Sequence, residues 1–216
     1  MNIICNSCVG SRIYELLGLE YKNPFMWNVI PYPDFKNLIL KYSEIDFSNF
    51  EVSLYPNPKF PVAQALFDSA IRAYYIHYHY KKEYTEPKKV KIDIFANDIL
   101  GYTKDKIEKR TKRMLAANEE PIFILETRNR PKFETFYTDD DIDNFISLDV
   151  PYKKILVTSH EKYKNYPSTI GNTKIFYFND RHPELPPDTE LMAKQIYGAF
   201  SSVFSSKEPK KTIKLV

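Results

Sequence analysis

The feature that most constrains this chain is an apolar run at its start, followed at once by small polar residues and then by a helical pattern. Asn2-Ile3-Ile4-Cys5 is typical of a central strand that is covered on both faces. The small residues of 6–11 predict a tight turn, and the apolar residues of 13–17 recur at helical spacing up to Gly18, a good C-terminal cap. The sequence therefore predicts a strand, a turn and a helix in immediate succession.

Cys8 falls at the start of that helix, where unpaired backbone N–H groups and the helix dipole favour an anion. Such a position lowers the pKa of a thiol, so we predict an activated cysteine. The N–H groups of the turn could then form an oxyanion hole, with Asn6, Ser7 and Gly10 as ligand-binding residues. Free cysteine is also a common small buried hydrophobe, and a structural Cys8 is the alternative.

From Val90 onward, strand patterns and helix patterns alternate. We predict strands at 89–95, 121–125, 154–158 and 174–178, and helices at 103–117, after the Thr138/Asp141 capping box and after Asp188. This alternation is the signature of parallel strands joined by right-handed crossovers. We therefore expect a three-layer α/β/α fold with a mixed, mainly parallel sheet, formed by a single domain over 1–205, with a charged tail at 206–216.

The region before Val90 is less regular. A helix is predicted at 33–42 and a strand at 50–55. The segment 72–80 alternates as a strand with His77 and His79 on one face, whereas a continuous helix over 62–80 would separate these two residues. Because no third ligand is visible nearby, we interpret the two histidines as a polar strand face and predict no metal site.

Polar residues follow each strand predicted in the second half of the chain. Parallel sheets bind ligands at the carboxyl ends of their strands, so we expect these residues to share one edge with Cys8. They are Asn97 and Asp98, Thr127 and Arg128, Ser159 and His160, and Asp180, Arg181 and His182.

A cysteine nucleophile needs a base within hydrogen-bond reach and a group that orients that base. His160 is the best base by position, with His79 second and His182 third. Asp98 or Asp180 is the candidate for orienting the imidazole.

Two basic features could hold an anionic ligand such as a sugar nucleotide or coenzyme A. The helix predicted at 103–117 is strongly basic, and we interpret it as a solvated face rather than an anion site. Its cationic residues are Lys104, Lys106, Lys109, Arg110, Lys112 and Arg113. At a strand exit, Arg128 is the better candidate for an anion contact, and Asn97, Asp180 and Arg181 are further binding candidates.

The string Ile4-Cys5-Asn6-Ser7-Cys8-Val9-Gly10-Ser11-Arg12-Ile13-Tyr14, with the later Leu17-Gly18-Leu19, resembles the opening of a bacterial family labelled exopolysaccharide biosynthesis protein. A related family of papain-like cysteine peptidases opens in a similar way. The resemblance implies a role for Cys8 and a glycan context. The peptidase family carries a His-Asp pair where this chain has Asn97-Asp98, so the residue that the resemblance implies as base is missing here.

Composition excludes several classes of protein. A net charge of +3 is too small for a nucleic-acid binder, and no apolar run approaches the length of a membrane span. No signal peptide is evident, and two cysteines three positions apart cannot staple a fold or complete a zinc site. A reducing, cytoplasmic setting is therefore expected.

Two hypotheses follow. In the first, the chain is an enzyme in which Cys8 performs acyl transfer or hydrolysis on a glycan or glycan precursor, with His160 as base. In the second, it is a non-catalytic α/β module in which the same edge binds an anionic sugar or nucleotide. The oligomeric state is not determined by the sequence.

Overall fold

The computed structural model describes residues 1–55, 62–75, 92–128, 136–178 and 189–199. Within these ranges, side chains are described at 1–55, 62–75, 99–128, 136–178 and 193–198. The elements are β1 (Asn2–Cys5), α1 (Val9–Leu16), β2 (Asn28–Val29), α2 (Tyr32–Leu40), β3 (Phe50–Tyr55), β4 (Val62–Phe67), β5 (Ile71–Tyr75), α3 (Ile92–Ala117), β6 (Pro121–Glu126), α4 (Asp139–Ser147), β7 (Lys153–Thr158), a 3₁₀ turn (Glu161–Tyr163), β8 (Thr169–Ile170), β9 (Thr173–Tyr177) and α5 (Thr189–Ala199).

The main sheet has five strands in the order β1-β6-β7-β9-β8. The first four strands are parallel, with Cys5 opposite Ile124, Glu126 opposite Val157 and Thr158 opposite Tyr177. Only the short β8 is antiparallel to its neighbour. The predicted mixed, mainly parallel sheet is therefore confirmed.

Helices cover both faces of this sheet. On one face, Ile3, Ile124 and Val157 pack in a buried cluster with residues of α1 and with Ala193 and Ile196 of α5. On the other face, the alternate strand residues pack with α2 and α4 in a second buried cluster; they include Ile4, Phe123 and Leu156, which meet Phe35 and Phe145. The alternation of strand residues between these two clusters is the reason for the three-layer α/β/α arrangement.

A second, antiparallel sheet, with strand order β2-β5-β4-β3, was not expected from the sequence. The strand predicted at 50–55 is confirmed as β3, and the alternative of a continuous helix from Val62 is wrong, because β4 and β5 form a hairpin there. The inward residues Ala63, Ala65 and Ala73 belong to the same buried cluster as the second face of the main sheet. His77 and His79 lie outside the described residues.

The strand predicted at 89–95 is wrong, because α3 begins at Ile92 and continues to Ala117. Ile92, Phe95 and Ile99 recur at spacings of three and four residues, so the alternation that indicated a strand fits a helix equally well. Thr103, predicted to begin the helix, is a buried residue in its middle. Consequently Asn97 and Asp98 lie inside a helix rather than after a strand.

Local signals at helix ends are confirmed. Gly18 has a φ of 60°, and the N–H groups of Gly18 and Leu19 donate to the carbonyls of Glu15 and Tyr14, which is the Schellman arrangement. At α4, both hydrogen bonds of the Thr138/Asp141 capping box are present. The residues 206–216 and Asp188 lie outside the described part of the chain.

Candidate functional site

The carboxyl ends of the four parallel strands lie along one side of the main sheet, which we call the carboxyl edge. Asn6, Ser7 and Cys8 follow β1, Arg128 lies two residues after β6, and His160 lies two residues after β7. The shared edge predicted from the sequence is therefore present for these residues. Asp180, Arg181 and His182, which follow β9 in the sequence, lie outside the described residues, as do the side chains of Asn97 and Asp98.

Cys8 occupies the N-cap position of α1, as the sequence predicted, and only 6% of its surface is exposed. Its Sγ lies 3.9 Å from the carbonyl oxygen of Asn28, at the start of β2. Close packing of α1 on β1 depends on Gly10, because a Cβ at this position would lie 2.6 Å from Cβ of Cys5. The turn therefore brings Cys8 against β2 and leaves little of it accessible to solvent.

Cys5 is fully buried, and burial raises the pKa of its thiol to about 11, although hydrogen bonds from Ser7 and Gly10 act in the opposite direction. Ser7 Oγ also accepts from the N–H of Val9. Some hydrogen-bond donors of the turn are thus already engaged, because those of Ser7 and Gly10 are directed to Cys5 and the Val9 N–H is directed to Ser7. At neutral pH the Cys5 thiol stays protonated, so Cys5 is not a nucleophile.

Asn6 is a structural link between β1 and β6. Its Oδ1 accepts from the Glu126 N–H at 2.7 Å, and its Nδ2 donates to the Glu126 carbonyl at 2.9 Å and to the Tyr137 hydroxyl at 2.5 Å. The side-chain amide therefore extends the strand pairing one residue beyond β1. Since these bonds occupy its amide, Asn6 supports the edge rather than presenting a free polar group.

Arg128 is held by a carboxylate of its own chain. Glu126 is 0% exposed at the end of β6, and its Oε1 accepts from both the backbone N–H and Nε of Arg128, at 3.0 and 2.6 Å. Arg128 Nη2 lies 3.3 Å from the other carboxylate oxygen. These charge-assisted hydrogen bonds engage Arg128 with the Glu126 carboxylate, so Arg128 has a local role that the sequence did not reveal.

His160 does not meet Cys8. Its Nδ1 lies 3.0 Å from a carboxylate oxygen of Asp139, at the start of α4, and no hydrogen bond joins it to Cys8. The strand β6 lies between β1 and β7, which puts the two exits about 10 Å apart at the usual strand spacing. In addition, α4 covers the face of the sheet opposite to α1. The geometry therefore does not assemble a Cys8–His160 pair.

Arg110 is a functional candidate, although the sequence predicted that it lies on a solvated helix face. Its residue is 7% exposed, whereas Lys109, Lys112 and Arg113 of the same helix are exposed. It lies on the buried stripe of α3, four residues before Met114 and three after Ile107, and this spacing is the signal that could have identified it.

The surroundings of Arg110 contain no described carboxylate within ion-pair distance. Its Nη1 donates to the Met26 carbonyl at 3.4 Å, and its guanidinium carbon lies 5.2 Å from the ring centre of Tyr21. Burial lowers the pKa of Arg110, while the nearby tyrosines Tyr75, Tyr21 and Tyr102 act in the opposite direction. Among the described residues, the Arg110 guanidinium thus contacts the Tyr21 ring and one backbone carbonyl.

Asn28 is the second unusual residue of this region. It is 0% exposed, and neither its Oδ1 nor its Nδ2 has a hydrogen-bond partner among the described residues. It shares the inward face of the second sheet with Tyr75, its partner in the β2–β5 pairing. An asparagine in the apolar run of 25–30 is the only sequence signal for this position.

The segment that joins Arg110 to Asn28 has an unusual backbone. Met26 accepts from Arg110, and the next residue, Trp27, has a φ of 61°, which is rare for a bulky side chain. Ser11 of α1 holds this conformation by accepting the Trp27 N–H at 2.7 Å. The segment 26–28 thus connects α1, α3 and β2 beside Cys8, and we call it the 26–28 strap.

Comparison with protein-family models finds no match for this chain, and comparison with curated proteins finds none. The resemblance of the opening residues to the exopolysaccharide and peptidase families therefore stays a prediction.

Two further properties of the described part of the chain bear on function. None of its helices combines the length and apolar character that crossing a membrane requires. Across the same residues, no three His, Cys, Asp or Glu side chains come together in a way that could hold a metal ion.

Proposed function

We propose that this chain is a binding protein for a small polar molecule, a sugar or a nucleotide, and that its site lies at the carboxyl edge where the 26–28 strap meets α1. The observation that carries this proposal is the side-chain amide of Asn28, which is wholly buried and has no partner among the described residues.

A buried amide without hydrogen bonds destabilises the folded state. Leaving one polar group unsatisfied costs about 1–3 kcal/mol, and most buried polar side chains in folded proteins have a partner. An amide offers both donors and an acceptor, which matches a hydroxyl group that also donates and accepts. A ligand hydroxyl at Asn28 would remove this cost, and the cost is otherwise unexplained.

The residues next to Asn28 are of the kinds that line ligand sites. Such sites are mostly apolar and aromatic with a few placed polar groups. Tyr75 is the cross-strand partner of Asn28, Met26 lies two residues before it, and the Cys8 thiol lies 3.9 Å from its backbone carbonyl. The choice of a sugar among polar ligands follows the resemblance of the opening residues, and sugar nucleotides and coenzyme A are the related anionic ligands to test.

Ligand-induced thermal stabilisation tests the proposal. We expect a panel of monosaccharides, sugar nucleotides, nucleoside phosphates and coenzyme A to contain molecules that raise the melting temperature of the wild type but not of Asn28→Leu. Asn37→Leu is the matched control, because Asn37 is an exposed asparagine on α2. No shift by any member of the panel, or equal shifts in Asn28→Leu, would contradict the proposal.

A second candidate function is thiol chemistry at Cys8, and it is favoured by one observation. Cys8 occupies the N-cap position of α1, where backbone N–H groups of the turn could stabilise a tetrahedral oxyanion formed at its sulfur. In this function the Cys8 sulfur attacks an acyl carbon of a glycan or glycan precursor and forms a thioester. The leaving alcohol or amine takes a proton, and water or an acceptor alcohol then cleaves the thioester.

The thiol function requires an accessible and reactive Cys8. We expect an iodoacetamide or acyl probe to label the wild type and Cys5→Ser at neutral pH, and not Cys8→Ala. Labelling of Cys8→Ala equal to that of the wild type would rule this function out. The base would have to be a residue other than His160, and His79→Ala and His182→Ala are the variants to compare.

We also propose that the protein works in the cytoplasm and without a nucleic-acid partner. No disulfide joins Cys5 to Cys8, and the net charge is only +3. Fractionation of cells that produce the tagged chain tests the first statement, and recovery of the chain with membranes would contradict it. Retardation of the chain by DNA or RNA at physiological salt would contradict the second.

A further inference from the structure

We propose that Arg110 is an anion receptor and that the ligand of the carboxyl edge carries an oxyanion, a phosphate or a carboxylate, which the Arg110 guanidinium binds at the 26–28 strap. This inference rests on the proposed function and names the chemical class of its ligand. It also moves the anion contact from Arg128, where the sequence placed it, to a residue on α3.

The burial of Arg110 is specific to this position of α3. Its neighbours on the buried stripe are Thr103, Ile107 and Met114, which are 0–4% exposed, and Arg110 itself is 7% exposed. Arg113, one turn further along, is exposed and forms an ion pair with Glu20 at 2.7 Å. The helix thus separates a cation that pairs at the surface from one that is directed inward.

The charge of Arg110 has no compensating charge in the described part of the chain. Buried charges in proteins are generally paired, because desolvation of an ion costs several kcal/mol. Of the five N–H donors of the guanidinium, one donates to a described residue, the Met26 carbonyl at 3.4 Å. Arg128 differs in this respect, because it contacts the Glu126 carboxylate through three nitrogen atoms.

The described groups around Arg110 leave its guanidinium available to an oxyanion. The Tyr21 ring centre lies 5.2 Å from the guanidinium carbon, and Tyr75 and Tyr102 raise the pKa of Arg110 whereas Arg113 lowers it. No described carboxylate forms an ion pair with the guanidinium: Glu15 accepts from the Tyr21 hydroxyl, and Glu20 pairs with Arg113.

Arg110 and Asn28 flank the same short segment. Arg110 donates to the carbonyl of Met26, and Asn28 is two residues further along. Tyr75 is related to both residues, since it is the cross-strand neighbour of Asn28 and acts to raise the pKa of Arg110. A ligand with an oxyanion and a hydroxyl group, such as a sugar phosphate or a sugar acid, satisfies both residues at once.

The test uses anions at constant ionic strength, with chloride as the balancing ion. We expect inorganic phosphate or acetate to raise the melting temperature of the wild type and of Arg113→Met, and not of Arg110→Met. Arg113→Met is the matched control because it removes an exposed arginine from the same helix. If phosphate and acetate raise the melting temperature of the wild type no more than chloride does, this result alone overturns the inference.

Calorimetry with three matched sugars then separates the oxyanion sources. Glucose, glucuronate and glucose 1-phosphate share a ring and differ in having no anion, a carboxylate or a phosphate. We expect one or both anionic sugars to bind at least tenfold more tightly than glucose to the wild type, because only they can form charge-assisted hydrogen bonds with the guanidinium, and we expect Arg110→Met to remove this preference. Equal affinity of the wild type for all three sugars would overturn the inference.

The failures of the two proposals are distinguishable. Binding of glucose that is lost in Asn28→Leu, with no effect of the anions, would keep the proposed function and overturn the role of Arg110. Stabilisation by phosphate that is lost in Arg110→Met and unchanged in Asn28→Leu would keep Arg110 as a receptor and contradict a shared site. Arg110→Lys is the second variant, and we expect it to retain part of the phosphate effect.

Discussion

For two buried asparagines close to Cys8, Asn6 and Asn28, the structure predicts opposite effects of the same substitution. Asn6 and Asn28 are both 0% exposed, but the Asn6 amide forms four hydrogen bonds and the Asn28 amide forms none with described residues. Leucine has nearly the shape of asparagine and no polar atoms. Replacing each residue with leucine therefore isolates the contribution of the amide.

For Asn28→Leu we expect the free energy of unfolding of the unligated protein to increase by about 1–3 kcal/mol, because an unsatisfied buried amide is removed. In a chain of 216 residues this corresponds to a rise in melting temperature of about 2–4 °C per kcal/mol. For Asn6→Leu we expect a decrease of about 3 kcal/mol or more, because the backbone groups of Glu126 and the Tyr137 hydroxyl lose their partner.

Urea unfolding of both variants and of the wild type measures the two changes, with the slope m as the check that the denatured states are comparable. A loss of stability in Asn28→Leu as large as that in Asn6→Leu would refute the reasoning, since it would mean that the Asn28 amide is bonded within the protein. If the stabilised Asn28→Leu also loses its response to ligands, the unsatisfied amide is retained for binding.

Three further predictions concern packing, charge and thiol reactivity. Gly10→Ala should lower the free energy of unfolding by about 1–3 kcal/mol, since the new Cβ would lie 2.6 Å from Cβ of Cys5. Gly101→Ala, at an open helical position, should raise the free energy of unfolding by up to about 1 kcal/mol. Urea unfolding measures both changes, and equal effects of the two substitutions would contradict the packing argument. Lys154 donates to three carbonyls at the end of α4, and burial lowers its pKa to about 8. Between pH 8 and 10.5 Lys154 therefore binds a proton more readily in the unfolded chain than in the folded one. The free energy of unfolding of the wild type, relative to that of Lys154→Met, should increase as pH rises through this window. A decrease would contradict the lowered pKa of Lys154. Because the pKa of Cys5 is raised to about 11, alkylation of the native protein at pH 7.5 should leave Cys5 unmodified. Mass spectrometry of the digested protein measures this modification, and rapid alkylation of Cys5 would contradict its burial.

The parts of the site that the sequence predicted are those governed by local pattern. The buried run of β1, the small residues of the turn and the helical spacing after it place Cys8 at the start of α1, and the structure confirms this position. Likewise, the regular alternation after Pro121 predicts the parallel strands that bring Arg128 and His160 to the same edge as Cys8. In each case a period of two or of 3.6 residues is enough, because backbone geometry imposes it on any chain.

The roles of individual residues depended on contacts distant in sequence. His160 pairs with Asp139, and the insertion of β6 between β1 and β7 separates it from Cys8. Arg128 pairs with Glu126, a carboxylate that reads as an ordinary strand residue in the sequence. The alternation at 89–95 fits both a strand and a helix, and packing of the stripe of α3 decides in favour of the helix.

The sequence by itself determined that this is an α/β chain with a mainly parallel sheet and a cysteine at the first strand-to-helix turn, because these follow from apolar periodicity and local capping. Only the tertiary structure decided which polar groups are buried with few or no partners among the described residues. Arg110 becomes unusual when α3 packs against the 26–28 strap, and Asn28 when β2 joins the second sheet. Desolvation depends on everything that surrounds a side chain, and those neighbours come from segments far apart in the sequence.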